Sequence, residues 1–184
     1  MKKLALISLL FCAVLFSGYR KPDFYTIDSE KNAYYHNNLG LNYLKDHWYY
    51  PAIQEFKIAI SLSPNRQSSA VYYNNLGECY MKMGYPDMAQ DCFERALKQF
   101  SLNFRYYENL ADCYVELGLV NTKIKQTYEN DNPLNLIMRG LLYQRQGKLR
   151  DAITTLDEFA VKEPDLIITP AVKGYIKQLV SQLY

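Results

Sequence analysis

The chain has 184 residues, 49 % of them apolar and 22 % charged, ordinary values for one globular domain with a real core. Its 21 basic and 19 acidic side chains leave a net charge of +2, which excludes the basic footprint of a nucleic-acid binder. The unusual figure is 18 tyrosines, several in pairs such as Tyr34-Tyr35 and Tyr72-Tyr73. A ring with a polar tip suits both buried helix seams and binding surfaces, so composition alone does not choose between them.

The N-terminus reads as an address. Lys2 and Lys3 precede an apolar run from Leu4 to Phe16, followed by Ser17 and Gly18. Such a run fits the core of an export signal and is short for a membrane span, which needs about 20 residues. Cleavage near Gly18 places Leu15 or Phe16 where a small residue is preferred, so residues 1–18 are either a removable signal or a short retained anchor. Cys12 has Leu9 three positions before it, but the bulky Phe11 argues against lipidation. Residues 19–30 form a polar spacer. The expected location is outside the cytoplasm, periplasmic for a bacterial chain, with membrane contact only through the N-terminal segment.

From residue 31 onward the chain repeats itself. Asn37-Asn38-Leu39-Gly40 with Tyr43 returns as Asn74-Asn75-Leu76-Gly77 with Tyr80, then as Glu108-Asn109-Leu110-Ala111 with Tyr114, and more loosely as Ile137 to Tyr143 around Gly140. A spacing in the thirties is the signature of stacked helical hairpins. Second-helix positions follow in register: Ala52, Phe56 and Ala59; Ala89, Phe93 and Ala96; Ala152 and Leu156. Turn residues Pro64, Gly147 and Pro164 punctuate the pattern.

This pattern resembles the tetratricopeptide repeat, over residues 33–165. The resemblance implies an all-α, right-handed α-solenoid of about four hairpins over residues 31–165, closed by a capping helix within residues 166–184. Gly at the centre of each first helix admits a close neighbour despite its helix-propensity cost of about 1 kcal/mol. Pro51 and Pro86 suit the first turns of second helices, and Asn132-Pro133 and Thr169-Pro170 read as caps opening two further helices. The third copy departs from the pattern, with Lys123 and Thr127 at the alanine and aromatic positions. Its segment 121–130 offers only Ile124 and Tyr128 as apolar anchors, so a short or irregular helix and a local kink are expected. The last helix is expected to turn Tyr175, Ile176, Leu179, Val180 and Leu183 to one side.

No chemistry stands out. There is no phosphate loop, nucleophile elbow or zinc pattern, and neither an enzyme activity nor a cofactor or metal is expected. His36 fills an aromatic position of the repeat and reads as a packed side chain; His47 lies in a turn beside Trp48 and faces solvent. Cys79 and Cys113 take equivalent positions a full repeat apart, which argues for inert packing and against a disulfide between them, whereas pairing of Cys92 between molecules stays open.

The constellation with the most functional content is a row of amides. Asn38, Asn75 and Asn109 recur two residues before the small residue, with Asn37 and Asn74 beside them. Asn offers one acceptor and two donors and can hold a peptide backbone of any sequence, or it can bond neighbouring helices. In the resembling family this helix face lines a concave groove, where Tyr34, Leu41, Leu44, Val71, Met81 and Arg105 are expected to form side-chain pockets. The clamp that some members use for carboxylate tails is not expected, because Asn37, Leu41, Asn75, Arg105 and Asn109 match little of its Lys/Asn/Asn/Lys/Arg set. The expected partner is therefore a protein or extended peptide held by a non-enzymatic scaffold or assembly factor of the cell envelope. A self-associating structural subunit and an accessory domain to a separate enzyme are the alternatives.

Overall fold

The computed structural model describes residues 28–183. Among them the backbone forms nine α-helices and no strand: α1 (Ser29–Lys45), α2 (Tyr49–Leu62), α3 (Gln67–Lys82), α4 (Pro86–Gln99), α5 (Phe104–Glu116), α6 (Val120–Gln126), α7 (Leu134–Arg145), α8 (Leu149–Lys162) and α9 (Thr169–Ser181). They pair in chain order as four hairpins, with α9 packed on α8, which makes an all-α repeat solenoid. The expected signal or anchor at 1–18 and most of the 19–30 spacer lie outside the described residues. Helix α1 begins at Ser29, two residues ahead of the expected start of the repeats. No described helix is long and apolar enough to cross a membrane.

Local chemistry sets the helix boundaries. The Asp28 carboxylate accepts the Lys31 backbone N–H at 3.0 Å and satisfies one of the orphan donors that open α1. Pro86 stands at the first position of α4, and Pro51 lies in the first turn of α2, where a missing N–H breaks no bond. The cap expected at Asn132 falls one residue later, at Pro133, and the Asn132 side chain accepts the Leu134 N–H at 3.0 Å from just ahead of it. Thr169 differs: it lies inside α9, and its hydroxyl donates to the Glu163 carbonyl instead of capping the helix.

The glycines fit the hairpin seams. A Cβ added at Gly40 would lie 2.7 Å from Phe56 Cε1, one at Gly77 2.5 Å from Phe93 Cε1, and one at Gly140 2.5 Å from Leu156 Cγ. The seam side chains Phe56, Phe93, Leu156 and Phe159 are fully buried in one continuous core that runs from Leu44 to Leu179.

The third hairpin is truncated, as its sequence suggests. Helix α6 has seven residues, none of them buried, and α7 packs directly against α5. Ile124 is half-buried, but Tyr128 is no inward anchor. It lies exposed, with the Arg139 guanidinium 3.4 Å above its ring centroid. The buried group there is Thr127, whose hydroxyl and carbonyl oxygens accept from Arg139 at 3.0 and 2.6 Å. At the C-terminus the inward stripe is Val172, Tyr175, Ile176 and Leu179, while Val180 and Leu183 turn out to solvent, contrary to the sequence reading.

Cys79, Cys92 and Cys113 are buried and unpaired. Burial pushes the thiols up to about 11, about 12 and about 11, respectively, so each stays protonated at neutral pH. Cys92 sits in the core, out of reach of a thiol on another molecule.

Candidate functional site

Three first helices, α1, α3 and α5, carry the row of asparagines, and the structure links them diagonally. Asn75 of α3 donates to Asn37 of α1 at 2.8 Å, and Asn109 of α5 donates to Asn74 of α3 at 2.8 Å. Each rung therefore bonds the neighbouring residue type of the preceding repeat, not its own equivalent. Asn37, Asn74 and Asn75 are buried, and Asn38 and Asn109 are half-buried. A buried amide without a partner costs about 1–3 kcal/mol, and these pairs remove that cost while fixing the register of one hairpin on the next.

The node of this network is Glu78, which the sequence reading did not single out. Its carboxylate accepts from Asn74 at 2.9 Å and Asn109 at 3.1 Å, and it pairs with Arg105 at 3.0 Å. The available signal was position: Glu78 directly follows Gly77, as Leu41 follows Gly40 and Asp112 follows Ala111. Asp112 is also engaged, by Arg145 of α7 at 2.5 Å, and Arg145 in turn donates to the Tyr175 hydroxyl at 3.0 Å.

The row ends at α5 for a chemical reason. Glu108 replaces the acceptor asparagine, and α7 offers Met138 where the next donor amide belongs. Burial raises the Glu108 carboxyl above its ordinary value, with Arg145 and Arg105 opposing the rise.

Around the amides stand the expected side chains. Tyr34, Leu41 and Val71 are exposed, and Arg105 reaches Glu78 from the rim. Met81 is half-buried; with Glu78, Lys82, Phe93, Arg105, Asn109 and Asp112 it lines a cavity of about 210 Å³. Leu44, expected among the pocket walls, is buried in the core instead, because its helix position faces α2 and not the open side.

The two histidines each bond one described side chain. His36 bonds Glu55 at 2.6 Å within the first hairpin, and His47 lies exposed beside the Tyr49 hydroxyl at 3.1 Å. Among the described residues no cluster of His, Cys, Asp and Glu is placed to hold a metal ion.

A family model described as tetratricopeptide repeat matches residues 70–103, and a second of the same description matches residues 135–165. These are the second and fourth hairpins. A tetratricopeptide repeat protein from Parabacteroides merdae is 17 % identical, covers 83 % of this chain and 61 % of its own, and superposes with a TM-score of 0.52. The pilF protein of Pseudomonas aeruginosa is 18 % identical over 80 % of this chain and 68 % of its own, with a TM-score of 0.51. The MamA protein is 17 % identical over 82 % and 87 %, with a TM-score of 0.50. No curated protein matches the sequence. Likeness at this identity speaks for the fold, and for that it is consistent across all three.

Proposed function

We propose that the chain, a tetratricopeptide repeat protein by its two family matches and its fold, is a non-enzymatic protein-binding scaffold or assembly factor, holding an extended peptide or protein segment across α1, α3 and α5. The observation that carries this reading is the pairing of a fixed polar floor with free side chains beside it. Asn37, Asn75, Asn74, Asn109 and Glu78 are held by mutual hydrogen bonds, while Tyr34, Leu41 and Val71 stand exposed along the same three-helix face. A preorganised floor loses little entropy when a segment docks, and exposed apolar side chains gain by being covered. Because the amides spend their capacity on each other, side-chain pockets carry more of the recognition than a backbone-reading ladder does. Asn38, whose amide bonds no described residue, and Arg105 at the rim offer polar groups to the segment.

We place the chain outside the cytoplasm, tethered or released, on the strength of Lys2, Lys3 and the Leu4–Phe16 run. Mass spectrometry of the N-terminus from a membrane fraction separates the two fates, and a cytoplasmic chain with an intact Met1 refutes both.

The groove reading is tested with a displayed library of extended peptides, selected on the wild-type chain. Combined Tyr34→Ser, Leu41→Ser and Val71→Ser substitutions, all at exposed positions, are expected to weaken the selected peptides by at least about tenfold, or 1.4 kcal/mol, with helicity unchanged. Equal capture by the triple variant refutes the groove.

A further inference from the structure

Hairpins two and three dock on the hairpin before them through the same stripe of side chains. Tyr72 of α3, 4 % exposed, is buried with Ala33 and Ala59 of the first hairpin; Tyr106 of α5, 3 % exposed, is buried with Ala70 and Ala96 of the second. Three residues on, Asn75 and Asn109 donate to Asn37 and Asn74. Four further on, Cys79 and Cys113 are fully buried, their thiols directed at the Tyr49 and Pro86 carbonyls of the preceding second helix.

Helix α1 carries the equivalent stripe, Tyr35, Asn38 and Asn42, with no hairpin in front of it among the described residues. Tyr35 is 62 % exposed, Asn42 is exposed, and the half-buried Asn38 amide bonds no described residue. The first hairpin thus presents a docking stripe, ring and amide donor included, with nothing described against it.

We propose that this stripe is a self-association surface, on which α1 of one copy lies antiparallel to α1 of a second copy about a two-fold axis near Asn38. The spacing is self-complementary. Positions 35 and 42 lie almost symmetrically about 38, so the axis that sets Asn38 against its counterpart brings the Tyr35 hydroxyl beside the Asn42 amide of the other copy. Each of these groups both donates and accepts, so the contact satisfies itself without a foreign chemistry.

Three further observations favour a second copy of this chain. The exposed aromatic rings concentrate on the first hairpin, at Tyr34, Tyr35, Trp48 and Tyr50, with only Tyr85 and Tyr128 exposed elsewhere among the described residues; aromatic enrichment marks protein interfaces. The other end of the stack is closed by α9, which turns Val172 and Leu179 inward and leaves Lys173, Lys177 and Gln178 exposed. It offers no match for Tyr35, so association stops at a closed pair instead of running into a filament. A net charge of +2 sets up little repulsion between copies.

The experiment is light scattering of the purified chain over a concentration series, with Tyr35→Arg as the disrupting variant and Asn38→Cys as a reporter. The wild-type mass is expected to rise to twice the monomer. Tyr35→Arg is expected to shift the dissociation constant at least tenfold towards monomer, with the melting temperature of the monomer unchanged, since the side chain is exposed. Asn38→Cys, beside the two-fold axis and in a Cys12→Ser background, is expected to cross-link copies under mild oxidation, whereas Cys79, Cys92 and Cys113, all buried, do not. A wild-type chain that is monomeric at every concentration overturns the proposal, as does a dimer that survives Tyr35→Arg. So does a monomer whose residue 35, replaced by cysteine, resists maleimide, because another segment then covers the stripe. Tyr35→Arg leaves Tyr34, Leu41 and Val71 in place, so peptide capture by the groove is measured on that variant apart from association.

Discussion

His47 holds a positive φ of 63° at the turn where the other three hairpins place Gly84, Gly118 and Gly147. Left-handed backbone costs a residue with a Cβ about 1–2 kcal/mol, and glycine escapes that cost at the expense of a more mobile unfolded chain. His47→Gly is therefore expected to stabilise the fold by roughly 0.5–1 kcal/mol, read as a higher urea midpoint at unchanged slope. The opposite sign holds at the seams. Gly77→Ala drives a methyl to within 2.5 Å of the buried Phe93 ring and is expected to cost about 1–3 kcal/mol in the same assay. The thiols add a pH dependence. An unfolded cysteine ionises near 9, whereas burial holds Cys92 up to about 12, so the native state retains a proton that the unfolded state releases. That contribution to stability is complete below pH 9 and is lost as pH rises towards 12. Cys92→Ala is expected to flatten the fall of stability across this window relative to wild type; an identical slope counts against the burial argument.

Elements show where the sequence was legible and where it was not. Hairpin seams were readable because Gly40 with Phe56 and Gly77 with Phe93 are local pairs at fixed spacing, and a missing aromatic at Thr127 announces a missing helix turn. Amide partners were not readable in the same way. Whether Asn75 meets Asn38 or Asn37 depends on how one hairpin rotates on the next, a displacement smaller than one residue of register. Glu78 and the Arg145–Asp112 pair escaped notice because a charged residue on a helix face reads as solvated until a neighbouring helix is placed beside it. The third hairpin carries the weakest element. Helix α6 has no fully buried residue, and the segment just after it is held by Arg139, which bonds Thr127 and covers Tyr128. Few buried contacts mean low local stability, so amides of residues 120–130 are expected to exchange faster than those of α5 and α7. Arg139→Ala is expected to raise that rate further and to cost about 1–2 kcal/mol overall, since it leaves the Thr127 oxygens without their donor. Exchange as slow as in α5 refutes this account.

At the scale of the molecule the two ends of the stack are built differently, and the far end sets how the whole unit holds together. Helix α9 buries Val172 and Leu179, places the Tyr175 ring 5.2 Å from that of Phe104, and offers its hydroxyl to Arg145, which also holds Asp112. One helix thereby ties α8 at the terminus to α5 in the middle, bridging the hairpin that α6 leaves thin. A repeat stack normally loses stability roughly in proportion to what is cut from its end. Here a larger effect is expected. Removing residues 166–184 strips the cover from α8 and also takes away the Tyr175 contacts to Phe104 and Arg145, so the third and fourth hairpins loosen together. The truncated chain is expected to unfold in two steps, hairpins three and four first and hairpins one and two later, where the full chain unfolds in one. Tyr175→Ala, which spares the cover on α8, isolates the tie and is expected to cost about 2–4 kcal/mol through the lost ring packing and hydroxyl bond. Urea transitions followed at the single Trp48, in the first hairpin, and by overall helicity separate the two halves. Coincident transitions in the truncated chain refute the tie, because a terminus that merely caps α8 leaves α5 and the first two hairpins to melt with the rest.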